Sequence, residues 1–182
     1  MLHEVLPVIV DELRDFLQSR LGAGEDQVVL ANLLTPDGTI AITGENKLVV
    51  SLVNIERDGT NMAGGAGVSF TRSNPPVHIN AYILFAAYFE SRNYLEALKF
   101  TSGVIGFFQG KSSFDAFNTP MLPHHAGRLR MEIVNVNWHE MSNLWAAIGA
   151  KYLPSILYRL RTLDMHEDLI SDQIPPIMIT EE

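Results

Sequence analysis

The sequence contains no cysteine, which excludes disulfides, thiol nucleophiles and cysteine-ligated zinc together. That composition suits synthesis in a reducing cytoplasm, and equally a particle that later meets oxidising surroundings. Positive charge is scarce: 13 Lys and Arg face 21 Asp and Glu, a net charge of −8. The cations are also scattered, whereas phosphate neutralisation needs them clustered, so nucleic acid is excluded as a partner. Long hydrophobic runs are missing too. The stretch 79–89 includes Asn80 and falls far short of the roughly 20 residues that span a bilayer. The N-terminal MLHEVLPVIVDELRDFL is broken by Glu4, Asp11, Glu12 and Asp15, where a signal peptide has a basic start and an unbroken apolar centre. The expectation is a protein assembled in the cytoplasm, with neither export signal nor membrane insertion.

What is present is enough for one compact domain. The chain has 182 residues, 47% of them apolar, and a domain of this size buries roughly 70% of its unfolded surface without staples or metals. Leu2, Val5, Leu6, Ile9, Leu13, Phe16, Leu17 and Leu21 recur at helical spacing and predict an amphipathic helix stopped by Gly22. Pro7 belongs near a helix start, so the regular part is expected to begin close to it. A short strand over 27–33 and a Pro36-Asp37-Gly38 turn lead to a strand over 47–56. Both faces of that strand, Val49/Val53/Ile55 and Val50/Leu52, are apolar, which predicts a central strand covered on both sides. A third strand is read over 77–89 and a helix over 93–109, with capping-box spacing at Asn93 and Glu96. Residues 111–128 read as a long loop. In the strand that follows, Leu129, Met131 and Ile133 share one phase and Val134 and Val136 the other, so a bulge near Ile133 is expected. Asn137 and Glu140 have capping spacing before a short helix ended by Gly149, and Pro154 opens a last strand with Ile156, Tyr158 and Leu160 alternating. The class is α+β: one domain over 1–163 with a mixed or antiparallel sheet of about four to five strands and three helices, then a tail over 164–182.

The search for chemistry comes back empty-handed. Gly110-Lys111-Ser112 echoes the end of a P-loop, but Ile105 stands where the first glycine belongs and the segment follows a helix, leaving a helix stop with a solvated lysine. Gly64-Gly65-Ala66-Gly67 lacks the strand and helix that frame a dinucleotide fingerprint. His139-Glu140 has Asn143 in place of a second zinc ligand, and the neighbours His124 and His125 have no carboxylate cluster to complete a site. His3, His78 and His166 read as structural or surface residues, and no serine sits in a nucleophile elbow. No metal, cofactor or catalytic residue is therefore expected. Tyr82, Phe85, Tyr88, Phe89, Phe107, Phe108, Trp138 and Trp145 fall within periodic apolar segments and read as core.

The blocks LVVSLVNIERD (48–58), NPPVHINAYILFAAYF (74–89), NYLEALKFTSGVIGFFQGK (93–111) and NLWAAIGAKYLPSILYRLR (143–161) resemble the tail terminator, or cap, family of extracellular contractile injection systems of the antifeeding prophage and Photorhabdus virulence cassette type. The resemblance runs over nearly the whole chain, from the opening helix to Ile174-Pro175-Pro176. It implies a phage tail-terminator-like fold and a non-enzymatic structural cap. The cap would be a hexameric ring that ends the inner tube and anchors the distal sheath ring, with itself, the tube protein and the sheath protein as partners. A tube or baseplate adaptor of the same particle remains open, as does a small-molecule enzyme or binder using His78, His139 or the aromatic cluster. Two segments are expected to make the protein contacts. One is the glycine-rich stretch 58–73 with Met62, Phe70 and Arg72, and the other is the tail with Ile174, Ile177, Met178 and Ile179, whose prolines keep it extended.

Overall fold

The structure, a computed structural model, describes residues 1–58 and 77–165. The elements in chain order are α1 (Leu2–Leu21), β1 (Val28–Leu30), β2 (Lys47–Arg57), β3 (Val77–Tyr88), α2 (Tyr94–Gly110), β4 (Ser113–Phe114), β5 (Leu129–Ile133), α3 (Trp138–Ile148) and β6 (Ser155–Met165). The strands form one six-stranded sheet in the order β1-β2-β3-β6-β5-β4. β1 runs parallel to β2, and the other neighbours pair antiparallel. The mixed sheet and three helices match the sequence reading. The strand count exceeds it because β4 forms inside 111–128, the stretch read as loop.

The sheet is the middle of three layers because its central strands are apolar on both faces. Leu48, Val50, Ala81, Ile83, Phe85, Tyr158 and Leu160 point to one side and pack under α1 and α2. Val49, Leu84, Ala86 and Leu157 point to the other and meet Trp145 of α3. The period of two along each strand thus loads both layers at once. For β2 the double coverage ends halfway: β1 flanks only Leu48 to Val50, and Leu52 and Ile55 are exposed.

α1 buries Val5, Leu6, Ile9, Val10, Leu13 and Leu17. It starts earlier than Pro7 suggests, because Glu4 and Val5 already donate to the Met1 carbonyl and the buried Val5 and Leu6 draw the first turn into the helix. Gly22 ends it at φ 68°, donating to the Gln18 carbonyl. The box expected at Asn93 does not form. A 3-10 turn over Ser91–Asn93 precedes α2, the Asn93 amide donates to Asn46 Oδ1 at 3.0 Å, and Glu96 pairs with Lys99. The box at Asn137 does form, with 2.9 Å bonds in both directions to Glu140. The strand expected over 27–33 shrinks to β1, since a 3-10 turn takes Glu25–Gln27 and the chain beyond Leu30 bends away toward a bridge between Leu34 and Ile40. No bulge sits at Ile133. The strand simply ends there, which lets Val134 and Val136 swing to the α3 side. The register shifts lie instead between Leu52 and Asn54 in β2 and between Ile79 and Ala81 in β3.

Two glycines of α2 differ in what surrounds them. A Cβ at Gly103 would lie 2.5 Å from Leu17 Cδ2, whereas one at Gly106 meets nothing within 4 Å. Leu17 is fully buried, so making room for that Cβ means shifting a side chain in a close-packed layer. Gly106→Ala should therefore stabilise by up to about 1 kcal/mol through helix propensity alone. Gly103→Ala should lose about 1 kcal/mol or more, because overpacking outweighs the same gain. Thermal melts of the two variants check this, and an equal rise in both would contradict the close α1–α2 packing.

Candidate interaction surfaces

The residues singled out from the sequence as contact points, Met62, Phe70, Arg72, Ile174, Ile177 and Met178, lie outside the described residues. Other surfaces come into view that the sequence did not reveal. The first is the loop after α2. Lys111 is not merely solvated: its Nζ donates to Glu12 Oε2 at 2.7 Å and to the Asn118 carbonyl at 2.8 Å, and lies 5.0 Å from the centre of the Phe114 ring. It ties α1 to the loop. Asp115 Oδ1 accepts from the Phe117 and Asn118 amides, Asn118 returns bonds to Asp115 and Ser113, and Thr119 is fully buried. This turn, fixed by its own hydrogen bonds, presents Phe117 at 98% exposure and Met121 at 80%. Apolar side chains held so far into water on a fixed turn are what an interface anchor looks like before its partner arrives.

The second surface is the outer side of α2. The helix is apolar nearly all round, so burying Ala97, Phe100, Val104, Phe107 and Phe108 still leaves Tyr94, Leu95, Leu98 and Ile105 exposed. A helix of that kind is expected to be covered on both sides. Between it and α1 runs an open groove of about 520 Å³, lined by Phe16, Arg20, Leu21, Leu95, Leu98 and the two glycines Gly103 and Gly106. The third surface is the uncovered half of β2, where Leu52 and Val53 join Leu33, Leu144 and Ile148 in a cleft of about 240 Å³ beside α3. Among the described residues no strand lies on the outer side of β2 beyond Val50, an arrangement that invites strand addition or cover by a neighbour.

Charge is organised on the α3 side of the sheet. Glu132 of β5 accepts from Arg159 of β6 at 2.8 Å, with Arg130 at 3.5 Å and Arg161 at 3.6 Å; Arg161 also approaches Asp58 at 3.5 Å. Tyr82 donates to Glu56 Oε2 at 2.8 Å. The hydrogen bond from Arg159, reinforced by the charges of the three arginines, holds the Glu132 carboxyl below its ordinary pKa against the opposing effect of burial. Burial first, then the bond to Glu56, pushes the Tyr82 phenol up. These groups cross-brace four strands and form no pocket with a nucleophile and base.

The described histidines do not assemble. His125 lies 3.2 Å from Glu4, which also pairs with the N-terminal amine, while His124 and His139 are exposed on separate elements. Among the described residues no group of three or more His, Asp or Glu side chains could hold a metal, and no helix is long and apolar enough to cross a membrane.

The Glu132 cluster has a pH signature. A carboxyl whose folded pKa lies below its unfolded value of about 4.3 adds stability above that pH and loses it as pH falls toward the folded value. Stability should drop between pH 5 and 3 by about 1 kcal/mol on account of this group, the scale of a partly exposed ion-pair network. In Glu132→Gln that share of the pH dependence should vanish while stability at pH 7 falls by a similar amount. Denaturant melts at pH 7, 5 and 3 check it, and a mutant with the parent's full acid sensitivity would contradict the assignment.

The Pvc16 N-terminal domain family model matches residues 5–178. No curated protein sequence matches the chain. Among solved structures the chain is similar to the PVC sheath/tube terminator of an extracellular contractile injection system in its extended state. That match has 14% identity and a TM-score of 0.53, over 95% of this chain and 63% of that one. It is also similar to the tube-terminating cap of the anti-feeding prophage, at 13% identity and a TM-score of 0.58, over 96% of this chain and 59% of that one. The chain thus spans less than two thirds of the length of either terminator, and at these identities the likeness is one of fold. With the family model running over nearly all of the described elements, the chain belongs to the Pvc16 N-terminal domain family.

Proposed function

We propose that the chain is a non-enzymatic cap of a contractile injection particle, a hexameric ring that ends the inner tube and anchors the last sheath ring. Family membership and the terminator fold support the role. The observation that carries it is the set of large apolar side chains exposed on well-defined elements: Leu95 at 74% on α2, Phe117 at 98% after β4, and Trp138 at 91% on α3. They lie on different sides of the domain, and a subunit that touches ring neighbours, tube and sheath needs several separate faces.

A ring requires a head-to-tail interface in which two different patches of one subunit meet those of the next, and its rotation must close. The turn at Phe117 and the groove by Leu95 satisfy the first condition. Lys111 and Glu12 place the turn beside the middle of α1, whereas Phe16, Arg20 and Leu21 place the groove at its C-terminal end. The stretch 58–73 with Met62, Phe70 and Arg72 is assigned to the tube below. Four of its residues are glycine, so ordering it costs backbone entropy that only a partner surface can offset. The tail is assigned to a neighbouring subunit or to sheath, but it begins after Met165 and not at 164, since β6 runs on to Met165. The subunit is assembled in the cytoplasm and then carried as part of the particle, without membrane insertion.

Counting and locating the chain in assembled particles tests this reading. Six copies at the end away from the baseplate, independent of tube length, are expected. A copy number that grows with tube length would make it a tube protein, and a position at the baseplate would make it an adaptor.

A further inference from the structure

The groove between α1 and α2 is open because of two glycines with different duties. Gly103 lets α1 approach until Leu17 nearly touches its backbone, and Gly106 leaves the floor bare. Leu21, Leu95 and Leu98 form apolar walls, Phe16 adds a ring face, and the Arg20 guanidinium stands 5.8 Å over that ring. Arg20 has no carboxylate partner among the described residues, and Lys99 on the opposite wall shares its charge with Glu96. The result is a straight apolar trough with cationic edges, about 16 Å long from Leu95 to Gly106 at 1.5 Å per helical residue.

The chain carries a segment of matching length, polarity and charge. Residues 174–179 read Ile-Pro-Pro-Ile-Met-Ile. Two prolines favour an extended polyproline-type strand, in which six residues cover about 16–19 Å at roughly 3.1 Å each. Such strands dock in grooves that offer aromatic faces, because little conformational freedom remains to be lost. Residues 166–182 contain five acidic residues and no Lys or Arg, more than half of the chain's net charge of −8. Asp172 precedes the apolar hexapeptide and Glu181 and Glu182 follow it, complementary to Arg20 and Lys99.

The same copy is poorly placed to supply that segment. β6 ends at Met165, opposite Val77, while Phe108 packs on Phe85 and Phe100 on Phe89, which sets Gly106 near the level of Ala86. From Val77 to that level is about 30 Å along the strand, and clearing the helix layer adds roughly 10 Å across it. Eight residues lie between Met165 and Ile174, and the nine steps from one to the other reach at most about 32 Å fully extended. The intramolecular path would consume the whole connection with no turn. We propose that the groove of each subunit receives segment 174–179 from a neighbouring copy, so that every subunit gives one strap and takes one. This rests on the ring reading above. A strap joining each subunit to the next is head-to-tail by construction, and it acts at the high effective concentration that the rest of the ring interface supplies.

The absence of native cysteine makes crosslinking clean. Full-length Leu98→Cys and Ile177→Cys variants are mixed and oxidised at a concentration where mass photometry reports the oligomeric state. An Asn143→Cys variant on α3 replaces Leu98→Cys as the control. The proposal expects the 98–177 interchain product to exceed the 143–177 product at least tenfold, and Gly106→Trp, which fills the floor, to reduce it several-fold without lowering the melting temperature. Hexamers without that excess would overturn the strap while leaving the ring reading standing. An intrachain product in the monomeric Leu98→Cys/Ile177→Cys double variant, with no interchain product on mixing, would also overturn it, since the segment then folds onto its own groove. Monomers with neither product would overturn both.

Discussion

The fold depends on one continuous set of aromatic contacts through which α2 is fastened to the sheet. Phe108 lies 5.4 Å from Phe85 of β3 and 4.6 Å from Tyr158 of β6, and Phe85 and Tyr158 meet edge-on at 5.7 Å. Phe107 continues the chain of rings to Phe16 of α1 at 5.4 Å and toward Phe114 of β4 at 6.3 Å. Five elements far apart in sequence therefore share one cluster. Each ring pair adds about 0.5–1.5 kcal/mol beyond the area it buries. Burial also explains why the Tyr158 phenol is pushed up. With α2 held there, α1 has only one place to go, the groove beside Gly103.

What this core uses up determines what remains outside. α2 contributes its phenylalanines inward and has Leu95, Leu98 and Ile105 left over; β2 pairs with β3 along its length but with β1 only over Leu48 to Val50, and it exposes Leu52 and Ile55. Neither leftover is needed to fold the monomer. An isolated soluble domain has no use for a helix with large apolar side chains on its outer side as well as its inner one, whereas a subunit of a layered particle does. The ion-pair network of Glu132, Arg159 and Arg161 covers the part of the sheet that α3 leaves bare, so that region is braced by charge where the others await cover.

Much of the architecture was legible in the sequence, because long periodic segments carry their own signal. α1, β2, β3 and β6 appear where the apolar pattern puts them, and the capping spacing at Asn137 and Glu140 is realised as a closed box. The same spacing failed at Asn93 because Asn46, forty-seven residues earlier, offers its side chain a tertiary partner. The phase slip after Ile133 was real, but a strand end produces it as readily as a bulge. β4 is two residues long, too short for any period to mark it. The exposed anchors were less legible. Phe117 sits in a segment rich in turn residues and gave no hint that hydrogen bonds from Asp115 and Asn118 would hold it out in water. Trp138 was read as core, yet it occupies the first turn of α3 and faces solvent. Periodicity says which residues share a face, and the neighbours that cover that face are a tertiary matter.

The central claim is that these exposed apolar side chains are covered only on assembly. Hydroxyl-radical labelling of Leu95, Leu98, Phe117 and Trp138, in the free protein and in intact particles, tests it most directly. The account predicts fast labelling of all four in the free subunit and a several-fold loss at Leu95, Leu98 and Phe117 in the particle. Equal labelling in both states would mean that these faces stay in water and that the subunit joins the particle through other surfaces.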